Sequence, residues 1–198
     1  MRIHDESSGK SYFSKRRRRF EGERRPHALT FSCYHRFKFL DRDRTRLWFV
    51  EALQAERLKW PIDLWAWVIM PEHVHLIVSP RVPGISIGRF VGKVKEAVSR
   101  RAVVWLKENS PEWLSRITVV EGTKTRHRFW QPGGGYDRNI EQAGTLEAMI
   151  QYLHQNPVSR GLVERTVDRE WSSARWYAGQ RPVWLEMDEL PMLGGGGG

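Results

Sequence analysis

The sequence contains one cysteine, Cys33, in 198 residues. A single cysteine excludes an intramolecular disulfide framework and a zinc cluster built from several thiolates, and it suits a reducing compartment. Apolar runs are also short. None approaches the roughly 20 residues that a membrane-spanning helix needs, and the amino terminus lacks the apolar core of a signal peptide. We therefore expect a soluble, cytoplasmic protein that has no membrane partner.

Acidic residues are scarce relative to basic ones. Asp and Glu number 23 against 33 Lys and Arg, which gives a formal net charge of +10. So basic a protein is suited to a polyanionic partner, and nucleic acid is the first candidate. The hydrophobic fraction of 40%, with ten tryptophans, is too high for a disordered chain, so we expect one folded domain.

Three regions of the chain differ in composition. Residues 1–26 are polar and contain KRRRRF, which predicts a flexible basic arm. Residues 27–180 contain the periodic apolar segments expected of the domain itself. Residues 181–198 form a tail that ends in five glycines, a low-complexity segment expected to be disordered.

Apolar periodicity predicts the order of strands and helices. We expect, in sequence, a strand at 27–34, a helix at 45–60, strands at 62–70 and 73–79, a helix at 86–106, a strand at 126–131, a loop at 132–139, and a last helix stopped by Pro157. The order β-α-β-β-α-β predicts an α+β fold of the ferredoxin-like (split βαβ) type. This fold has an antiparallel sheet with helices on one face, and here it gains an additional C-terminal helix.

Two histidines interrupt the third predicted strand, in MPEHVHLIVSP. Because side chains alternate along a strand, His73 and His75 should project from one face while Val74 fills the other. Two neutral imidazoles on one face can bind a divalent metal ion and leave positions open for a substrate oxygen. The alternative is a sheet with an exposed polar face on which two histidines happen to fall.

The last predicted helix contains QYLHQNP. Tyr152 and Asn156 are one turn apart and share a face, whereas His154 points nearly opposite. Since Pro157 is expected to end the helix, the Asn156 carboxamide would be able to reach a metal ion as a third ligand. The alternative is an ordinary amphipathic helix with an ordinary end.

Basic side chains that are candidates for DNA phosphate contacts fall in the arm, on the 86–106 helix and just before the glycine-rich loop. They are Arg16, Arg17, Arg18, Arg19, Arg89, Lys93, Arg100, Arg101 and Arg128. Trp65 and Trp67 are two residues apart on one predicted strand and are candidates for stacking on unpaired bases. The alternatives are a solvated charged face for the cations and core packing for the tryptophans.

Four stretches occur in the order of a known family: WVIMPEHVHLIVSP (67–80), FWQPGGGYDRNI (129–140), MIQYLHQNPVSRGLV (149–163) and REWSSARWY (169–177). Together they resemble the single-tyrosine HUH transposases, in which U is a hydrophobic residue, and specifically the REP-associated tyrosine transposases. The chain differs from that family at Glu72, where asparagine is usual, and in its glycine-rich loop.

The resemblance implies a transposase that nicks single-stranded DNA at palindromic hairpins and transfers the strand through a 5′-phosphotyrosine intermediate. It assigns Tyr152 as nucleophile, His73 and His75 as the metal pair, Asn156 as third ligand, and Mg²⁺ or Mn²⁺ as cofactor. The implied partner is single-stranded or hairpin DNA, bound by a monomer or homodimer at a bacterial-type nucleoid. Two alternatives stay open: a catalytically silent hairpin-binding protein of the same fold, and a replication-initiator-like HUH endonuclease.

Overall fold

The structure is a computed structural model that describes residues 2–5, 10–13, 25–140 and 143–190. Its helices are α1 (Asp43–Arg57), α2 (Ile87–Asn109), α3 (Pro111–Ile117), α4 (Ala143–Ser159) and α5 (Ala174–Tyr177). Its strands are β1 (Arg2–Asp5), β2 (Lys10–Phe13), β3 (His27–Ser32), β4 (Ile62–Ile69), β5 (His73–Pro80), β6 (Thr118–Glu121), β7 (Lys124–His127) and β8 (Tyr136–Asn139).

The predicted basic arm lies largely outside the described residues, as do its candidate DNA contacts Arg16, Arg17, Arg18 and Arg19. Within the arm, β1 and β2 pair as an antiparallel hairpin. The five glycines predicted to be disordered, residues 194–198, also lie outside the described residues.

Four strands form the central sheet in the order β4-β5-β3-β8, and every neighbouring pair is antiparallel. Helix α1 connects β3 to β4, and α2 lies between β5 and β8. This is the split βαβ arrangement, so the predicted fold class is confirmed. Among the residues described, no helix has the length and apolar character needed to cross a membrane.

Side-chain alternation divides the apolar residues of the sheet between two cores. Val74, Leu76 and Val78 of β5 belong to the larger core, which α1 and α2 complete. Ile77 of β5 belongs to the second core, on the other face, which is completed by apolar side chains of α4: Leu146, Ile150 and Leu153. The sheet therefore has α1 and α2 on one face and α4 on the opposite face.

The fourth strand of the sheet is β8, which lies in the segment predicted to be a loop. The strand predicted at 126–131 joins this sheet only in part, where Trp130 forms an antiparallel bridge with Cys33 just after β3. Lys124–His127 pairs instead with β6 in a separate hairpin. Gly135, just before β8, has a φ of +70°, and a Cβ there would lie 2.2 Å from the carbonyl oxygen of Thr30. Only glycine permits this approach to β3, so the residue that suggested a loop is what allows the strand to pair.

Pro157 does not end the last helix, contrary to the prediction, since α4 continues to Ser159. Proline removes one backbone donor, a loss that a helix tolerates better close to its end than in its middle. The turn is completed by the amide of Arg160, which donates to the carbonyl of Asn156 at 3.0 Å.

Trp65 and Trp67 are both buried, so core packing, the alternative to base stacking, is confirmed for both. The pairing of β4 with β5 shifts register between Leu64 and Ala66. As a result, Trp65 packs in the core beneath α4, and Trp67 packs in the core beneath α1 and α2.

The WSS stretch covers the outer edge of β4. Ser172 pairs with Val68, and the amide of Ser173 donates to the carbonyl of Trp67 at 2.9 Å. The buried Ser173 hydroxyl accepts a hydrogen bond from the Trp67 amide at 3.0 Å and lies 2.8 Å from Nε2 of His154 on α4. This serine therefore joins the edge of the sheet to α4.

Replacing Ser173 with alanine should lower the free energy of unfolding by about 2 kcal/mol, because two buried polar groups lose a partner. Urea unfolding followed by tryptophan fluorescence measures the change. Ser115→Ala is the matched control, since it removes an exposed hydroxyl that bonds only within α3. The control should stay within about 0.5 kcal/mol of the parent protein. Equal losses in the two variants would contradict the assigned role of Ser173.

Candidate active site

The two histidines at the start of β5 bring their rings together. His73 and His75 alternate with Val74, so both project from the sheet face on which α4 packs. Their Nε2 atoms are 2.9 Å apart, and their ring planes are nearly perpendicular, at 85°. Two ring nitrogens thus converge on one point.

This spacing fits two neighbouring ligands of one metal ion. An octahedral cation with ligands at about 2.1 Å holds adjacent ligand atoms about 3 Å apart, close to the 2.9 Å between the two Nε2 atoms. Burial, and then the charge of His73, lower the pKa of His75 to about 4, and burial also lowers the pKa of His73. Both rings are therefore neutral at pH 7 and can offer a lone pair.

Among the described residues, other His, Cys, Asp and Glu side chains do not form a metal site together with this pair. Within residues 25–140 and 143–190, no group of three or more His, Cys, Asp or Glu side chains is placed to hold a metal ion. An arrangement of two imidazoles leaves positions open for oxygen ligands, as a metal ion that acts on a substrate requires.

Thr30 supports the ring of His75 from behind. It lies opposite His75 in the pairing of β3 with β5, and its Oγ1 is 2.7 Å from Nδ1 of His75. When Nδ1 carries the proton and donates it to Thr30, the Nε2 atom keeps the lone pair that a metal ion needs. Thr30 could not be identified from the sequence, because the pairing of two residues that are 45 positions apart has no local signature.

Glu72 lies behind His73 in a cluster of opposite charges. Its carboxylate is buried, with 4% of the residue exposed, and Oε1 lies 3.2 Å from Nδ1 of His73. The same oxygen accepts hydrogen bonds from Nη2 of Arg36 at 3.1 Å and from Nη2 of Arg160 at 3.0 Å. Burial raises the pKa of Glu72, but the charge that His73 carries when it is protonated at lower pH, and the hydrogen bonds from the two arginines, outweigh this effect and hold the pKa below its ordinary value.

Helix α4 presents Tyr152 and His154 to opposite sides, as predicted. Tyr152 is 67% exposed, while His154 is buried against Ser173 and burial lowers its pKa to about 4. Asn156 is half-buried, and its Nδ2 donates to the carbonyl of Tyr152 at 2.7 Å. The carboxamide oxygen is then the atom of Asn156 that is suited to bind a cation.

The predicted phosphate contacts on α2 do not gather around the histidines, because α2 packs on the opposite face of the sheet. Arg89 is exposed near the start of this helix. Lys93 and Arg100 are also exposed, but both pair with Glu96, which reduces the positive charge of that face.

Two further predicted contacts lie in ion pairs. Arg101 pairs with Glu51 of α1, and Arg128 pairs with Glu121 at the end of β6. The described candidates therefore form separate basic positions on the helical side of the molecule and not one continuous patch beside His73 and His75.

Comparisons with known proteins find a matching family and similar solved structures. The model of the family described as "Transposase IS200 like" matches residues 25–156. The structure of the REP-associated tyrosine transposase bound to a REP hairpin is 19% identical, with a TM-score of 0.62 over 90% of this chain and 94% of that chain. A transposase structure from Deinococcus radiodurans R1 is 20% identical, with a TM-score of 0.41 over 73% of this chain and 97% of that chain. No curated protein matches the sequence significantly.

Adding Mn²⁺ should raise the unfolding temperature of the protein, because a ligand that binds only the native state stabilises it. His75→Ala removes one of the two converging nitrogens and should abolish this rise. His127→Ala should retain it, since His127 bonds to Thr118 in the β6-β7 hairpin. Thermal unfolding with and without Mn²⁺ measures all three proteins. A rise of equal size in His75→Ala would show that the cation binds elsewhere.

Proposed function

Because the chain belongs to the IS200-like transposase family, we propose that it nicks and rejoins single-stranded DNA at hairpin sequences, with Tyr152 as the nucleophile. His73, His75 and Asn156 are the proposed ligands of Mg²⁺ or Mn²⁺. The proposal includes a covalent 5′-phosphotyrosine intermediate.

One observation carries this proposal: the helix that contains Tyr152 packs on the sheet face from which His73 and His75 project. A direct contact joins the two elements, since Arg160, one residue beyond α4, donates to Glu72 beside His73. Tyr152 is itself exposed, so its phenol is open to a DNA strand. Strand β5 therefore supplies the proposed metal ligands, and α4, which packs on the same face of the sheet, supplies the proposed nucleophile.

The reaction we propose is an in-line exchange of phosphate esters. The Tyr152 oxygen forms a bond to phosphorus, the bond from phosphorus to the 3′-oxygen breaks, and the phenol loses its proton while the leaving oxygen gains one. A phenol is a weak nucleophile at neutral pH unless its surroundings assist it. A divalent ion held by His73 and His75 would supply positive charge that stabilises the phosphate under attack.

Rejoining follows from the same chemistry. The phosphotyrosine ester retains the energy of the broken phosphodiester, so a 3′-hydroxyl of another strand can displace Tyr152 without ATP. One tyrosine at this position gives one covalent link per active site. A monomer would make two cuts in sequence, and a homodimer could make them together.

Hairpin DNA is the proposed substrate for two reasons. The structural relative with a TM-score of 0.62 is a transposase bound to a REP hairpin, and the net charge of +10 suits a polyanion. Arg89, Lys93, Arg100, Arg101 and Arg128 are the proposed phosphate contacts among the described residues. Contacts of this kind make affinity fall steeply as salt rises.

A denaturant-resistant protein-DNA adduct should form when the protein is incubated with single-stranded hairpin DNA and Mn²⁺. Gel electrophoresis of labelled DNA measures it. Tyr152→Phe should lose the adduct, because only the attacking oxygen is removed. Tyr136→Phe is the matched control, since Tyr136 is also exposed, at 52%, and it should keep the adduct. Hairpin binding with no adduct in the parent protein would support the catalytically silent alternative.

Asn156→Ala should weaken Mn²⁺ binding by roughly tenfold, because one of three protein ligands is lost while the histidine pair remains. Isothermal titration without DNA measures the affinity. Asn109→Ala is a suitable control, because Asn109 likewise donates its side-chain amide to the carbonyl four residues earlier, at the end of α2. Unchanged affinity in Asn156→Ala would remove Asn156 from the ligand set.

A further inference from the structure

We propose that Glu72 is a positioning residue that joins the metal-binding histidine pair to the tyrosine helix. The inference rests on the proposed function, and it concerns a residue that contacts neither DNA nor metal in that proposal. Glu72 acts through His73 on one side and through Arg160 on the other.

Backbone hydrogen bonds fix the turn that contains Glu72. The amide of Cys33, just after β3, donates to the carbonyl of Glu72 at 2.8 Å. The amide of Leu40 donates to the carbonyl of Pro71 at 2.9 Å, and the amide of Met70 donates to the carbonyl of His73 at 2.9 Å. The turn between β4 and β5 is therefore held on both sides, and the carboxylate has a defined direction.

The first contact of Glu72 is with His73. Its Oε1 is 3.2 Å from Nδ1, within ion-pair distance but outside hydrogen-bond geometry. Nδ1 of His73 and Oε2 of Glu72 are both buried and make no hydrogen bond within the described chain, although one can donate and the other can accept. A carboxylate behind a metal-binding imidazole favours the proton on Nδ1 and leaves Nε2 free for the cation. Glu72 therefore acts on His73 through its negative charge at 3.2 Å, whereas Thr30 lies within hydrogen-bond distance of His75.

The second contact ties Glu72 to the end of α4. Arg160 donates from Nη2 to Glu72 at 3.0 Å, and its backbone amide donates to the carbonyl of Asn156 at 3.0 Å. Asn156 is one helical turn from Tyr152. One buried carboxylate thus links the imidazole of His73 to the helix that carries the proposed nucleophile.

The third contact comes from a turn with an unusual backbone. His35 and Arg36 both have positive φ, at 50° and 55°, which is uncommon for residues other than glycine. Such conformations persist where the surroundings fix them. Here the amide of His35 donates to the side chain of Gln131 at 3.3 Å, and Arg36 donates to Glu72 at 3.1 Å. The strained turn places a second guanidinium on the same carboxylate oxygen.

Because Glu72 and Arg160 carry opposite charges, their substitutions should have opposite effects on Mn²⁺ affinity. Glu72→Gln preserves shape but removes the negative charge, leaving two guanidinium groups close to the cation site. We expect Mn²⁺ affinity to fall by about 10-fold to 100-fold, the usual effect of losing a partner behind a metal ligand. Arg160→Gln removes a positive charge and leaves the carboxylate, so Mn²⁺ affinity should be unchanged or higher. Its adduct formation with hairpin DNA should nevertheless slow, because the end of α4 is released.

The experiment is isothermal titration of the full-length protein with Mn²⁺, without DNA, combined with the adduct assay. Glu56→Gln is the control for Glu72→Gln, since Glu56 is also a largely buried, ion-paired carboxylate but lies on α1. Arg165→Gln is the control for Arg160→Gln, because Arg165 pairs with Asp168. Both controls should match the parent protein in both assays. Circular dichroism in EDTA checks that each variant is folded.

Mn²⁺ affinity of Glu72→Gln within twofold of the parent protein would overturn the inference, and so would a loss equal to that in Glu56→Gln. If Glu72→Gln does not fold, Glu72→Asp retains the charge and should bind Mn²⁺ with a smaller loss. Glu72→Asp affinity equal to that of the parent protein would then be the contradicting result. Failure of the proposed function would give a different result from failure of this inference. The parent protein would then form no adduct, whatever its Mn²⁺ affinity.

Discussion

Strict alternation of side chains along β5 is the constraint on which the site depends. Val74, Leu76 and Val78 must face the core beneath α1 and α2, and this fixes His73 and His75 on the other face. A shift of one residue in register would exchange the two sets, burying imidazoles in the larger core and placing valines on the face that α4 covers. The same apolar contacts that stabilise the sheet therefore determine where the histidine pair lies.

Polar and charged side chains beside His73 and His75 allow the two rings to be buried. Burying charge or an unpaired polar atom is costly, so each ring needs an oxygen behind it. Thr30 lies within hydrogen-bond distance of His75, and the negative carboxylate of Glu72 lies 3.2 Å from Nδ1 of His73. Glu72 is in turn neutralised by Arg36 and Arg160, which come from a turn after β3 and from the end of α4. Three separate parts of the chain thus meet behind the two histidines.

Much of this arrangement could be predicted from local patterns. Strand periodicity placed His73 and His75 on one face, and helical periodicity separated Tyr152 from His154. The partners of Glu72 could not be found in this way, because Arg36 and Arg160 are 36 and 88 residues distant. Strand β8 could not be predicted, because glycine is typical of loops and the close approach of Gly135 to Thr30 has no local pattern. The metal, its third ligand and the DNA contacts stay predictions.

The central claim is that Tyr152 and a cation held by His73 and His75 act on the same phosphate. The most direct test is a crystal structure of Tyr152→Phe with Mn²⁺ and a single-stranded hairpin. We expect one phosphate to contact the cation at His73 and His75 while the ring at position 152 faces the same phosphorus atom. A cation bound away from the two histidines, or a ring at position 152 turned away from the phosphate that the cation contacts, would contradict the account.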